Sequence, residues 1–137
     1  MGDVHNAPPE VRKHESGLRV QRVTGPAVRA YQRLVVPLPP CCPVSGNPRE
    51  GSTLTLAYLP EGWCIEVYSL QQVLRRFVGG WRGTERYPAE RNMEGMVALL
   101  AQMAADALQR RVRFRAELVL DTGKMTFRGA ATPCSSS

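Results

Sequence analysis

Val112-Arg113-Phe114-Arg115-Ala116-Glu117-Leu118-Val119-Leu120, then Asp121-Thr122-Gly123, then Lys124-Met125-Thr126-Phe127-Arg128, is the stretch on which the fold turns. Val112, Phe114, Ala116, Leu118 and Leu120 alternate with Arg113, Arg115, Glu117 and Val119, and a period of two predicts a half-buried strand. Asp121-Thr122-Gly123 predicts a three-residue hairpin loop. The chain then returns with Met125 and Phe127 inward.

Immediately upstream the period changes. Met93, Met96, Val97, Leu100, Ala104, Ala107 and Leu108 predict the buried face of a helix over 92–109, with Asn92 as N-cap and with Glu94 and Asp106 on or near its polar side. Before it, Trp81–Arg91 reads as a loop. Leu70, Val73, Leu74, Phe77 and Val78 form another helical stripe. Ser69 and Gln72 have capping-box spacing, which predicts a helix start at Ser69. Gly79-Gly80 supplies the stop.

Three strands precede these helices. Ala30–Leu38 is centred on Leu34, Val35 and Val36. Ser52–Tyr58 alternates, with Leu54, Leu56 and Tyr58 on one side. Trp63–Val67 returns after the turn Leu59-Pro60-Glu61-Gly62, with Cys64 and Glu66 opposite Trp63 and Ile65. The order strand, strand, strand, helix, helix, strand, strand predicts an α+β fold, an antiparallel sheet with two helices packed on one face. Such a sheet leaves exposed edges, which joining subunits edge to edge would cover. Residues 1–28 show no sustained periodicity and read as a flexible N-terminal arm. Residues 29–129 form a single domain, and 130–137 a disordered tail.

The 137 residues suit one domain with its own core. No apolar run reaches the roughly 20 residues of a membrane span. Residues 1–15 lack a hydrophobic signal core, so a cytoplasmic protein with reduced thiols is expected. The net charge of +6 favours anionic partners but names none. The four cysteines, Cys41, Cys42, Cys64 and Cys134, contain no CxxC pair, which argues against structural zinc. No phosphate-loop, dinucleotide-binding, zinc-protease or G-x-S-x-G motif occurs.

Four constellations carry chemical potential. Cys42, in Cys41-Cys42-Pro43-Val44-Ser45-Gly46-Asn47-Pro48-Arg49, is either a thiolate nucleophile activated by Arg49 and nearby amides or a small buried hydrophobe. Glu66, beside Ser69 at a helix start, is either a binder of polar ligands or a solvated strand residue. Glu85 is either solvent-exposed or the reader of a guanine-type edge, two oxygens meeting two adjacent N–H donors. Arg75, Arg76, Arg82, Arg86 and Arg91 either hold cofactor phosphates or keep a helix end soluble.

The run Cys42-Pro43-Val44-Ser45-Gly46-Asn47-Pro48, followed by Glu66-Val67-Tyr68-Ser69-Leu70 and Phe77, resembles the nitrile reductases of queuosine biosynthesis. These 7-cyano-7-deazaguanine reductases have the tunnelling fold. Their pattern is C-P-[VIT]-[ST]-G-Q-P-D, then E-S-K-S-L-K, then a loop ending N-H-G-x-F-H-E. The spacing from Glu66 to Phe77 matches without a gap, and the last glutamate of the pattern falls on Glu85. The likeness spans roughly Leu34 to Phe127.

That resemblance implies subunits joined into a barrel or ring, with sites at subunit interfaces. It implies Cys42 as the nucleophile that forms a thioimide with the nitrile, and NADPH as the hydride source. Glu85 would hold the deazaguanine edge, Glu66 would lie in the base-binding wall, and Ser69 near the ligand or cofactor; Arg75 and Arg76, from the arginine set, are the candidates to hold the cofactor. The expected partner is a small purine-like nitrile rather than a nucleic acid or a membrane.

Several positions depart from the pattern. Arg49 replaces the expected Asp, leaving neighbouring Glu50 as the candidate acid. Thr84 replaces the expected His, Gly79-Gly80-Trp81 replaces N-H-G, and Tyr68 and Gln71 replace lysines. Three readings follow: a divergent NADPH-dependent reductase, a relative that lets ammonia attack the thioimide to give an amidine, and a non-catalytic binder of purines or pterins.

Overall fold

The computed structural model describes residues 10–134. The stretch that decides the fold forms the predicted hairpin. β6 (Val112–Leu120) and β7 (Gly123–Ala131) pair from Val112↔Ala131 to Leu120↔Gly123. Gly123 already pairs, so the connection is two residues, Asp121-Thr122, and not three. β6 buries Val112, Phe114, Ala116 and Leu118 and exposes Arg113, Arg115 and Glu117, as its period requires.

β3 (Gln32–Pro37) pairs with β4 (Thr53–Tyr58), and β4 pairs with β6. The result is a four-stranded antiparallel sheet in the order β3-β4-β6-β7. The expected β4 hairpin partner, residues 63–67, does not join it. β5 (Trp63–Ile65) pairs instead with β2 (Arg19–Arg22), which pairs with β1 (Val11–Lys13) in a second, three-stranded sheet. A strand has two edges, and both edges of β4 are taken by longer partners.

Tyr58 joins the two sheets. Its hydroxyl donates to Gln32 Oε1 at 2.7 Å and accepts the Ile65 N–H at 2.8 Å. Tyr58→Phe leaves that buried N–H without its acceptor. The expected cost is about 1–3 kcal/mol in urea unfolding. An unchanged midpoint would show that the bridge adds nothing.

The flexible arm expected over 1–28 is corrected from residue 10 onward. Leu18 is fully buried and Val20 nearly so, both within the main core. The Arg19 N–H donates to Ser69 Oγ at 2.8 Å, and the Glu66 N–H to the Arg19 carbonyl at 2.9 Å. Two apolar residues are too few to register as a period, yet docking on β5 is enough to order them. A 3-10 turn, Gly25–Arg29, then leads into β3. At the other end, Ala130 and Ala131 belong to β7 rather than to a tail. Residues 1–9 and 135–137 of the expected arm and tail lie outside the described residues.

α1 (Val67–Arg75) starts earlier than the capping box suggests. Glu66 is its N-cap, accepting from the N–H groups of Tyr68 and Ser69 at 2.9 Å each. Leu70, Val73, Leu74 and the following Phe77 are buried, whereas Val78 is left exposed because the helix has already ended. α2 (Met93–Leu108) is capped by Asn92 as expected, with Oδ1 accepting from Glu94 and Gly95. It crosses β6 and β7 and also touches β5 and β2. Asp106, expected on or near its polar side, is 2% exposed. Both helices share one core with the inner face of the four-stranded sheet, and the fold is α+β as read. No helix among the described residues is long and apolar enough to cross a membrane.

Candidate functional site

Cys42 sits in the loop between β3 and β4. The Asn47 carbonyl accepts the N–H groups of both Cys41 and Cys42 at 2.9 Å, and the Gly46 N–H returns to the Cys42 carbonyl at 2.9 Å. Gly46 adopts φ +72°, which a side chain would resist. This curl leaves Cys42 half-buried, with its Sγ accepting the Ser45 N–H at 3.4 Å. The Ser45 hydroxyl and amide, then the Val44 amide, bring the Cys42 thiol down to about 7, and Arg91 adds to the effect. Of the expected activators, the nearby amides act on the thiol, whereas Arg49 faces Asp121 at 3.9 Å. Ser45 is therefore the residue that the sequence reading missed; its place three positions after the cysteine was the available signal.

The neighbouring thiol behaves oppositely. Burial pushes Cys41 up to about 11, and its Sγ donates to the Pro39 carbonyl. Burial also raises Cys64. Only the thiolate alkylates. Iodoacetamide labelling mapped by peptide is expected to reach half its maximal rate near pH 7 at Cys42. Cys41 should stay unlabelled at that pH, and equal rates at the two sites would contradict the assignment.

Glu66 and Ser69 are committed to the fold. Both Glu66 carboxylate oxygens cap α1. The Ser69 hydroxyl donates to the Glu66 carbonyl, accepts from Arg19 and is fully buried. Ser69 thus anchors β2 to α1. Glu50 is exposed, in the turn that leads into β4.

Glu85 stands on a braced loop. Trp81 and Glu90 close its base with paired backbone hydrogen bonds of 2.8 and 2.9 Å. Trp81 stacks on Phe77 at 4.9 Å and donates Nε1–H to the Tyr87 carbonyl. Gly83, at φ +95°, passes so close to Ala89 that a Cβ there would lie 2.8 Å from its backbone nitrogen. Tyr87 drops inward and donates its hydroxyl to Asp106 Oδ2 at 2.7 Å. Glu85 is left exposed at the tip, without a hydrogen bond or ion pair among the described residues. The cavity beside it, about 350 Å³, is lined by Glu15, Thr84, Glu85 and Arg86, and does not reach Cys42.

Arg75 and Arg76 share a second cavity of about 350 Å³ with Trp81, Arg82 and Gly83. Arg76 lies 4.6 Å over the Trp81 ring and donates to the Ser16 carbonyl at 3.1 Å, which fixes its guanidinium. Three guanidiniums with no carboxylate in the lining fit the phosphates of a dinucleotide.

One polar atom in the cysteine loop has no partner. Asn47 Oδ1 is buried and accepts no hydrogen bond within the described residues, an arrangement costing about 1–3 kcal/mol until a donor arrives. The fold thus brings together Cys42, Ser45 and Arg91 in one place and the three arginines in another, with Glu85 lining a separate cavity. Among known proteins, no family model matches this chain and no curated protein matches it.

Proposed function

We propose that this protein is a divergent nitrile reductase-like enzyme that captures 7-cyano-7-deazaguanine as a thioimide on Cys42. The observation that carries this reading is the Cys42 thiol, held near neutrality by Ser45 beside a buried neighbour held near 11. Such a thiol is about half thiolate at neutral pH. The thiolate adds to the nitrile carbon: an S–C bond forms, one π bond of the C≡N group opens, and the nitrogen takes up a proton. Exposed Glu50 is the candidate donor. Glu85, unpaired at its loop tip, offers both carboxylate oxygens to the adjacent N–H donors of the base.

Arg75, Arg76 and Arg82 are the residues suited to hold NADPH by its phosphates. When bound, this cofactor would supply hydride twice, from two successive molecules, which with two protons takes the nitrile carbon to the amine and frees the Cys42 thiolate. Arg76 is already immobilised against Trp81, so its guanidinium loses little freedom on binding a phosphate.

Glu85 and Cys42 lie apart within one chain, and β3 and β7 each leave one edge unpaired. Edge-to-edge joining of subunits into a ring would cover those edges.

Intact-protein mass after mixing with the nitrile tests the reading. One nitrile added per chain is expected, followed by nitrile-dependent NADPH consumption. No adduct at saturating nitrile, with the protein folded, overturns it. An adduct that yields an amidine with ammonia and consumes no NADPH retains the thioimide and replaces the reductase. Glu85→Ala is expected to weaken nitrile binding by about 2 kcal/mol, the loss of a charged hydrogen-bonded pair. An unchanged dissociation constant would remove Glu85 from the site.

A further inference from the structure

We infer that the open face of the four-stranded sheet binds single-stranded nucleic acid. The helices cover one face of this sheet, and the other carries Arg33, Arg113, Arg115, Arg128 and Lys124, all exposed. The register explains their grouping. Arg33 and Arg113 both pair with Ala57, one from each side, and Arg115 lies directly opposite Arg128. Like charges in opposed positions destabilise a strand pair. The fold nonetheless places them together.

Few carboxylates offset this charge. Arg115 meets Glu117 at 3.0 Å, while Arg33, Arg111, Arg113 and Arg128 form no ion pair among the described residues. Small side chains, Thr55, Ala57 and Ala130, floor a basin of about 680 Å³ walled by these arginines. Tyr31, 59% exposed, stands at its end.

This chemistry selects the occupant. A second copy of the same face would set arginine against arginine, so the face is not self-complementary. A lipid surface calls for apolar side chains to insert, and Val35 and Tyr31 are the large ones exposed here. A flexible polyanion with stackable bases meets both features: guanidiniums follow the phosphates and Tyr31 offers a ring to a base. The net charge of the chain named no partner, whereas the clustering of charge on one sheet face does. The inference does not depend on the role of Cys42.

Fluorescence anisotropy of the full chain with a labelled oligouridylate of about 16 nucleotides tests it. Binding is expected to weaken steeply between roughly 50 and 200 mM salt. Arg113→Ala with Arg128→Ala should raise the dissociation constant at least tenfold and lower the salt slope by about 1.4. Arg12→Ala with Lys13→Ala, the same loss of charge on the other sheet, should change it less than threefold. The sheet variant should keep its circular dichroism and its Cys42 adduct, which separates this result from misfolding and from failure of the nitrile reading. No binding at low salt, equal effects of the two variants, or tighter binding to phosphatidylserine vesicles than to RNA would overturn the inference.

Discussion

Cys42→Ala is expected to abolish both the nitrile adduct and all turnover, a loss of at least about 10³-fold, as when a covalent nucleophile is removed. No nearby thiol stands ready to replace it. Cys41 is buried, donates to the Pro39 carbonyl and titrates near 11, and Cys64 lies on β5 with its thiol also raised by burial. Cys41→Ala and Cys64→Ala should therefore retain the adduct. Ser45→Ala separates position from activation. It removes the hydroxyl that contributes most to lowering the Cys42 thiol but spares the amide donors. Its pH–rate profile should move to higher pH, with the plateau rate largely kept. Turnover that survives in Cys42→Ala would end the covalent mechanism, whatever the other variants do.

Asp106→Ala is expected to cost about 3 kcal/mol, or roughly 10 °C in melting temperature. The Asp106 carboxylate, buried within α2, accepts from Tyr87 Oη at 2.7 Å, Gln102 Nε2 at 2.9 Å and the Cys134 N–H at 2.9 Å. Arg86 approaches to 3.6 Å. Truncation strands these donors in or near the core. The Arg86 guanidinium is itself partly exposed, so Arg86→Ala should cost less than Asp106→Ala.

Burial alone would raise the Asp106 carboxyl. The hydrogen bonds from Cys134, Tyr87 and Gln102, with the charge of Arg86, outweigh burial and hold it below 3.8. Its stabilisation is therefore complete above the ordinary carboxylate value and is lost as pH falls through the depressed one. In acid titration the wild type should lose its stability advantage over Asp106→Ala below about pH 4. A constant difference down to pH 2 would contradict this. Because Tyr87 anchors the loop bearing Glu85, the same variant should also weaken nitrile binding, whereas Tyr87→Phe should do so less.

The sequence by itself determined those features whose physical cause is local. Alternation over 112–120 and the cap at Asn92 each follow from a few neighbouring residues and appear in the fold, whereas α1 ends at Arg75, before the expected stop at Gly79-Gly80. The loop that carries Cys42 was legible for the same reason. Tertiary structure decided what depends on competition for partners. β5 left β4 because β3 and β6 occupied both edges, and the segment at Leu18 and Val20 became ordered by pairing with β5. The Ser69 hydroxyl accepts from Arg19, on a strand far away in the chain. The buried state of Asp106 required Tyr87, nineteen residues away, to reach it. Ser45, rather than Arg49, sets the Cys42 thiol because the curl of the loop aims its amide at the sulfur and its hydroxyl adds to the effect, while Arg49 turns toward Asp121. Periodicity records which side of an element is apolar, but the pairing of edges and the destination of each hydrogen bond depend on residues far apart in the chain.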